Sequence, residues 1–193
     1  MCIRDSLIGD SVDFQSFRFI VVAGILYAAF HFAYNQIPDD YLRNTIYPNV
    51  IGHAAAETIK TLTPDRTVVV SNNALISPRA KMNIVRGCDG SGVWFMLSAA
   101  IIGFGASFRQ TITGLEAGTI TDYIINQIRI VGLYYVIEHN RAWFPPVHTY
   151  YAPTLIIILI AGFFLFWTRW TMDGQDQKAT SSIASAAGKK NHD

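Results

Sequence analysis

The chain has 193 residues, of which 51% are apolar and only 15% are charged. Soluble domains usually carry about a quarter charged residues, so this deficit and the positive mean hydropathy favour a membrane protein. The formal net charge of +1 argues against nucleic-acid binding, which needs a large basic face to compete for phosphates. The two cysteines, Cys2 and Cys88, are too few for a disulfide framework.

The first predicted membrane span covers residues 19–38, which contain the run FIVVAGILYAAF and no charged residue. A spanning helix needs about 20 mostly apolar residues. No small-residue cleavage site follows, so an uncleaved helix is favoured over a signal peptide. The segment before it, residues 1–18, begins with MCIRDS (1–6), which resembles a translated sequencing-adapter fragment. Residues 1–6 are therefore a candidate artefact, and whether further N-terminal helices are missing is left open.

Two more uncharged stretches are predicted to span the membrane. Residues 90–108 form the second span, and residues 150–168, with the run LIIILIAGFFLFW, form the last one. Trp167 and Trp170 are expected to anchor the far end of the last span at the interface. The Ser-, Ala-, Lys- and Gly-rich tail at 173–193 is predicted to be disordered.

The third predicted span, residues 114–137, is the most polar of the four. Its short connections to both neighbours favour a span over a surface helix, although it carries three charged residues (Glu116, Asp122 and Arg129). Gly114 and Gly118 form a pair of small residues suited to close helix packing. Four spans place both termini on one side, and the distribution of Lys and Arg mildly favours the cytoplasm for that side.

The region between the first two spans, residues 39–89, is expected to be an extracytoplasmic α/β segment. Apolar residues at helical spacing over 50–62 predict an amphipathic surface helix. The runs TVVVS at 67–71 and NIVRG at 83–87, with Asn72–Asn73 as a turn, predict a short β ribbon. The predicted fold class is thus an all-α polytopic membrane protein of about four transmembrane helices, with this small α/β segment.

Three chemically useful side chains converge in this topology. Cys88 lies at the start of the second span and His148 just before the fourth, so both are expected at the same membrane face. Arg129 lies eight residues before the end of the third span, about 12 Å below that face. A thiol, a proton acceptor and a cation for the oxyanion are the groups that nucleophilic acyl transfer requires.

Arg129 is costly inside a span, at about 2.5–3.5 kcal/mol or more, so a partner or a task is expected. Asp122, Asn126 and Arg129 follow at i, i+4 and i+7, which places them on one helix face. Asn126 is interpreted as orienting Arg129. The alternative is a structural role in which Arg129 holds Asp122 through Asn126.

Cys88 lies in the run RGCDGSG, where Gly87 and Gly90 allow a sharp turn and a close approach of substrate. Arg86 favours the thiolate and Asp89 opposes it. A lone membrane cysteine is more often a packed apolar residue, and His148 could simply lie at the interface beside its neighbouring tyrosines. A second histidine near the end of the third span, His139, is the rival base.

In order, RGCDGSG, an apolar helix, GLEAGTITDYIINQIRI and PPVHTYY resemble the exosortase/archaeosortase family over about residues 85–167. The resemblance implies a Cys–Arg–His constellation on Cys88, Arg129 and His148, with no metal or cofactor. It also implies cleavage of a C-terminal sorting signal of exported proteins. The glycine that often follows the family's histidine is absent here, and the family often has more spans.

The resulting hypothesis is a membrane cysteine transpeptidase or protease in a prokaryotic cytoplasmic (inner) membrane, with its active site on the extracytoplasmic side. Its expected partners are exported proteins with a C-terminal transmembrane sorting signal and a lipid- or glycan-linked acceptor. The alternatives are a simple intramembrane cysteine protease and a non-catalytic membrane component of polysaccharide export or assembly.

Overall fold

A computed structural model describes the backbone of residues 4–190 and the side chains of residues 15–174. The protein is mostly helical (78%) and has one small three-stranded sheet. The elements in chain order are α1 (Arg4–Asn35), α2 (Asp39–Tyr41), a π-helical stretch (Leu42–Gly52), α3 (His53–Leu62), β1 (Val69–Ser71), β2 (Ala74–Ile76), β3 (Lys81–Asn83), α4 (Ser91–Phe104), α5 (Phe108–His139), a 3-10 turn (Arg141–Trp143), α6 (Phe144–Pro146), a π-helical turn (Val147–Tyr151) and α7 (Ala152–Lys190).

Two helical stretches of the described residues are long and apolar enough to cross a membrane. They are Gln15–Asn35 and Arg141–Gly174, which overlap the predicted spans at 19–38 and 150–168. None of the most apolar window of the first stretch, and only 22% of that of the second, is buried inside the protein. A core helix of a soluble protein would bury most of such a surface. Helix α4 is apolar but has 14 residues, and α5 carries charges, so a four-span topology stays a prediction.

Local signals place the ends of α4 and α5 differently from the sequence-based boundaries. Helix α4 ends at Gly105, whose φ of 74° is the left-handed conformation that terminates helices. Ser107 then caps α5 in a reciprocal capping box with Gln110. As a result α4 stops before the predicted limit at 108, and α5 begins six residues before the predicted start at 114.

Close helix packing surrounds the two glycines of α5. A Cβ atom on Gly114 would overlap the indole ring of Trp167 on α7, and one on Gly118 would lie 2.9 Å from Leu97 on α4. Trp167 is only 4% exposed and packs against Phe104. The expectation that Trp167 is an interfacial anchor is therefore wrong, because the missing side chain of Gly114 lets the indole insert between the helices.

The region from 39 to 89 packs on the far end of α5 as a small α/β cap. Ile59 of α3 and Leu75 of the central strand β2 are buried in one hydrophobic cluster with Tyr134 of α5. The sheet has the antiparallel order β1-β2-β3. Asn72, with φ of 50°, turns β1 into β2, as the Asn-Asn pair indicates.

Two details of the cap differ from the prediction. The strand β2 was not expected, because its three residues directly follow the turn and show no separate alternating run. The last strand, β3, covers residues 81–83, whereas a strand was expected over 83–87; those residues instead lead into the loop that carries Cys88. At the other end, the backbone of α7 continues helically to Lys190. The tail at 173–193 lies mostly outside the described side chains, as do residues 1–6, so both predictions about them stay open.

Candidate active site

Cys88 lies in a tight loop between β3 and α4. Gly87 and Gly90 on either side have φ of 83° and 84°, a conformation that side chains with a Cβ rarely adopt. The backbone N–H of Cys88 donates to the carbonyl oxygen of Val85 over 2.9 Å. The two glycines therefore allow the chain to turn on both sides of Cys88, so that the thiol projects from a turn. The positive φ at both positions favours glycine.

Asp89 holds this loop in place. Its Oδ1 atom accepts hydrogen bonds from the backbone N–H of Gly87 at 3.1 Å and from the hydroxyl of Ser91 at 3.0 Å. Its Oδ2 atom accepts from the hydroxyl of Tyr34 on α1, which also contacts the hydroxyl of Tyr47 at 3.1 Å. Sequence reasoning treated Asp89 only as a charge beside the thiol. The Asp-Gly-Ser run is a local turn signal, whereas nothing in the sequence indicated the distant tyrosines.

The thiol of Cys88 lies 2.8 Å from Nε2 of His148. His148 belongs to the π-helical turn that precedes α7. Its imidazole stacks on Phe144, with ring centroids 5.2 Å apart and planes 27° apart. The stacking orients the imidazole toward a loop 60 residues earlier in the chain, so a thiol and an imidazole are in hydrogen-bonding contact.

The other candidate base, His139, lies at the exposed end of α5. Its Nδ1 atom is 3.0 Å from the backbone carbonyl oxygen of Tyr135, one turn earlier on the same helix. This local contact leaves His139 directed at its own helix. Of the two histidines, the structure places His148 against the thiol.

Arg129 approaches the same loop from α5. Its Nη1 atom points to the carbonyl oxygen of Gly87 at 3.4 Å, a long hydrogen bond. Its Nε atom is buried and has no hydrogen-bond partner in the described part of the chain. An unsatisfied buried donor costs about 1–3 kcal/mol. Arg129 therefore brings a free N–H group to the neighbourhood of the thiol.

The pKa of the Cys88 thiol is raised above its ordinary value, chiefly because burial disfavours the thiolate. The positive charge of Arg129 lowers this pKa and the negative charge of Asp89 raises it, but burial outweighs both. The resting sulfur is consequently a neutral thiol near pH 7. It can donate its proton to a neutral His148 when the nucleophile is needed.

Arg86, which was expected to favour the thiolate, has a structural role instead. Its Nε atom forms a 2.7 Å ion pair with Asp39, and its Nη1 atom donates to the carbonyl oxygen of Tyr34 at 2.9 Å. The guanidinium also lies 4.8 Å from the ring centroid of Tyr34. Arg86 thus fastens the Cys88 loop to the end of α1, and Arg129 is the cation that acts on the thiol.

Asn126 and Asp122 are buried on the same face of α5, at 5% and 7% exposure. A Cβ on Gly90 would lie 3.0 Å from the side chain of Asn126, so Asn126 packs directly under the loop. Among the described side chains, no hydrogen bond joins Asn126 to Arg129 and no ion pair joins Asp122 to Arg129. The contact that Asn126 makes is with the glycine of the loop, and Asp122 lines a cavity next to Asp89.

Two recesses adjoin the three residues. A cavity of about 300 Å³ is lined by both Cys88 and His148 and by the whole of β3. A second, almost entirely apolar groove of about 290 Å³ runs between α5 and α7, and Arg129 lies in its wall. Such volumes are at the lower limit of ligand-binding pockets. The site therefore adjoins one recess on the side of the cap, which is mostly apolar but also lined by Lys81, Asn83 and Arg141, and one apolar groove between the helices.

The fold and the site define a helical protein with two helical stretches long and apolar enough to cross a membrane. It holds a thiol, an imidazole and a guanidinium at the junction of a small α/β cap and its helices. Among the described residues, no group of three or more His, Cys, Asp and Glu side chains could hold a metal ion. The chain matches no protein-family model, and neither a curated protein nor a solved structure matches it.

Proposed function

We propose that the protein is a membrane cysteine transpeptidase or protease that cleaves exported proteins near a C-terminal transmembrane sorting signal. The observation that carries this proposal is the 2.8 Å contact between Cys88 Sγ and His148 Nε2. A thiol packed as an apolar residue needs no such partner. The Nε–H of Arg129, which has no acceptor among the residues that the structure describes, adds the third group that acyl transfer requires.

The first half of the reaction forms a thioester. Cys88 Sγ attacks the scissile carbonyl carbon while its proton moves to Nε2 of His148, and the N–H groups of Arg129 stabilise the oxyanion. Collapse of the tetrahedral intermediate breaks the C–N bond, and the leaving amine takes the proton from His148. The substrate remains attached as a thioacyl-enzyme, and its C-terminal segment departs.

The second half releases the product. An acceptor nucleophile attacks the thioester carbonyl and passes its proton to His148. The C–S bond then breaks, and the proton returns to the sulfur as the thiol of Cys88 reforms. An amine or hydroxyl on a lipid- or glycan-linked acceptor gives transfer, whereas water gives hydrolysis.

The apolar groove between α5 and α7 supports a membrane-bound substrate. Its wall includes Gly132 and Leu155, and its polar lining is very small. A groove of this composition suits a hydrophobic segment in the membrane, and Arg129 lies where that segment would meet the reacting carbonyl. The reaction then takes place at the membrane face that carries the cap, which is the extracytoplasmic face if the termini are cytoplasmic.

The test compares the variants Cys88→Ala and Cys2→Ala in cells that express the protein. We expect precursors with an intact C-terminal hydrophobic segment to accumulate in the Cys88→Ala strain, as measured by membrane proteomics, and not in the Cys2→Ala strain. Normal processing in the Cys88→Ala strain would refute catalysis and favour a non-catalytic membrane component of polysaccharide export or assembly.

Mass spectrometry of the new C-terminus separates the two outcomes of the thioester. A conjugated C-terminus identifies transfer to an acceptor. A free carboxylate on all of the product would instead identify a simple intramembrane cysteine protease, with the same three residues in the same roles.

A further inference from the structure

The strand β3 is an edge strand of the sheet, since it pairs with β2 on one side and with no other strand of the described chain on the other. The hydrogen bonds to β2 alternate along it. The N–H of Ser77 donates to the carbonyl oxygen of Ala80 at 2.8 Å, and that of Ile84 donates to the carbonyl oxygen of Asn73 at 2.7 Å. These two hydrogen-bonded pairs involve the residue just before β3, Ala80, and the residue just after it, Ile84.

This alternation fixes the direction of every backbone group in the strand. Between those two pairs lies the pair of Leu75 with Met82, so the N–H and C=O of Met82 also face β2. The backbone groups of Lys81 and Asn83 must then point away from β2, along the free edge. Within the described part of the chain, the outward N–H and C=O groups of these two residues have no backbone partner, so they form a template for another extended chain.

The position of this edge relative to the nucleophile is informative. Lys81 and Asn83 line the same cavity of about 300 Å³ as Cys88 and His148. The buried side chains of Met82 and Ile84, which alternate with them along the chain and also line this cavity, hold the strand in this register. The free edge therefore runs along the cavity and leads directly into the loop that carries the thiol.

From this geometry we infer that β3 is the substrate-binding strand. The polypeptide segment next to the scissile bond pairs with the outer edge of β3 as an added β-strand, through the N–H and C=O of Asn83. This inference rests on the proposed function and specifies how that site takes its substrate. Main-chain pairing provides affinity for any extended sequence, and the small cavity admits an extended segment and excludes a folded one.

The edge contact also explains how the carbonyl reaches the sulfur. A strand paired with β3 is fixed along its length by regularly spaced hydrogen bonds. One register along that edge places a carbonyl group at Cys88, and a shift by one residue turns the backbone groups the other way. Pairing therefore selects the peptide bond that is attacked, while the apolar groove holds the hydrophobic segment beyond it.

The test uses alkylation of Cys88 in detergent micelles by acetyl-Ala-Ala-Ala chloromethyl ketone and three analogues, each N-methylated at a different alanine. The N–H groups of an added strand alternately face β3 and face away, with a period of two residues. We expect the alkylation rate of the analogue methylated at the middle alanine to differ from the rates of the other two analogues. Methylation of an N–H that faces β3 should slow alkylation roughly two- to tenfold. Mass spectrometry of the Cys88 peptide gives the rates.

A protein-side variant completes the experiment. Asn83→Pro removes the outward N–H, so the difference between the N-methyl isomers should shrink; Val70→Pro, at the outward position on the opposite edge strand β1, should leave that difference in place. Size-exclusion chromatography verifies that each variant is folded. Equal rates for all three isomers, or no alkylation of Cys88 by any of the peptides, would overturn edge pairing. Failure of the proposed function is read separately, as normal precursor processing in the Cys88→Ala strain.

Discussion

The variant Gly114→Ala probes the contact that sets the distance between α5, which carries Arg129, and α7, which follows directly after His148. A methyl group at this position would overlap the indole of Trp167. The indole cannot retreat easily, because its ring already packs at 5.5 Å from the ring centroid of Phe104. The two helices must therefore move apart or the ring must leave its rotamer.

Two opposing terms determine the size of the effect. Overpacking of this kind costs about 1–3 kcal/mol, whereas replacing Gly by Ala inside a helix gains about 1 kcal/mol. Gly132→Ala on the same helix is the matched control, since a Cβ there meets no atom within 4 Å. Helix propensity cancels in the comparison, so Gly114→Ala should be less stable than Gly132→Ala by about 1–3 kcal/mol, or about 2–12 °C in Tm.

Thermal unfolding followed by circular dichroism in detergent micelles measures the difference between the two variants. Tryptophan fluorescence provides a second readout, because displacement of Trp167 exposes its indole. If Gly114→Ala is as stable as Gly132→Ala, the close contact between Gly114 of α5 and Trp167 of α7 is wrong.

Two further predictions address the chemistry of the thiol. Arg129→Gln removes the charge that lowers the pKa of Cys88, so the midpoint of iodoacetamide alkylation against pH should move to higher pH; Asp89→Asn removes the charge that raises this pKa and should move the midpoint to lower pH. If neither variant shifts the midpoint, or if both shift it in the same direction, the assigned effects of Arg129 and Asp89 on the pKa of Cys88 are wrong. His148→Ala should slow substrate processing about 100- to 10,000-fold, as loss of a general base does, and His139→Ala should leave it unchanged; processing assays on membranes decide between them, and the reverse order would make His139 the base.

The long helices were predictable from the sequence because their signal is local. The apolar runs at 19–38 and 150–168 are long enough to be recognised on composition alone. The β2 strand and the burial of Trp167 were not predictable in this way. The strand β2 has only three residues and shows no alternating run of its own. The burial of Trp167 depends on Gly114, which is distant in the chain, and a single sequence does not show that these two residues are in contact.

The candidate site shows the same division. The turn around Cys88 follows from its two glycines, and the expectation that His148 approaches it follows from the order of the spans. The role of Arg86 was not predictable in this way, because this residue precedes Cys88 by two positions but its side chain contacts other residues. Its nearness in the sequence indicated an interaction with Cys88. In the structure Arg86 instead forms an ion pair with Asp39 and contacts Tyr34.

The energetic state of the site at rest follows from burial. Burial keeps the thiol of Cys88 neutral, and the buried Nε–H of Arg129 has no acceptor in the portion of the chain that the structure covers. In the proposed reaction both costs are reduced by the same event, because a substrate carbonyl that becomes an oxyanion would offer Arg129 a charged acceptor while His148 takes the thiol proton. Interactions that strengthen only as charge develops accelerate the chemical step, whereas interactions already made with the bound substrate do not. The Nη1 of Arg129 makes only a long hydrogen bond to Gly87, and its buried Nε–H has no acceptor among the described residues. This leaves a donor for the tetrahedral intermediate of the proposed reaction.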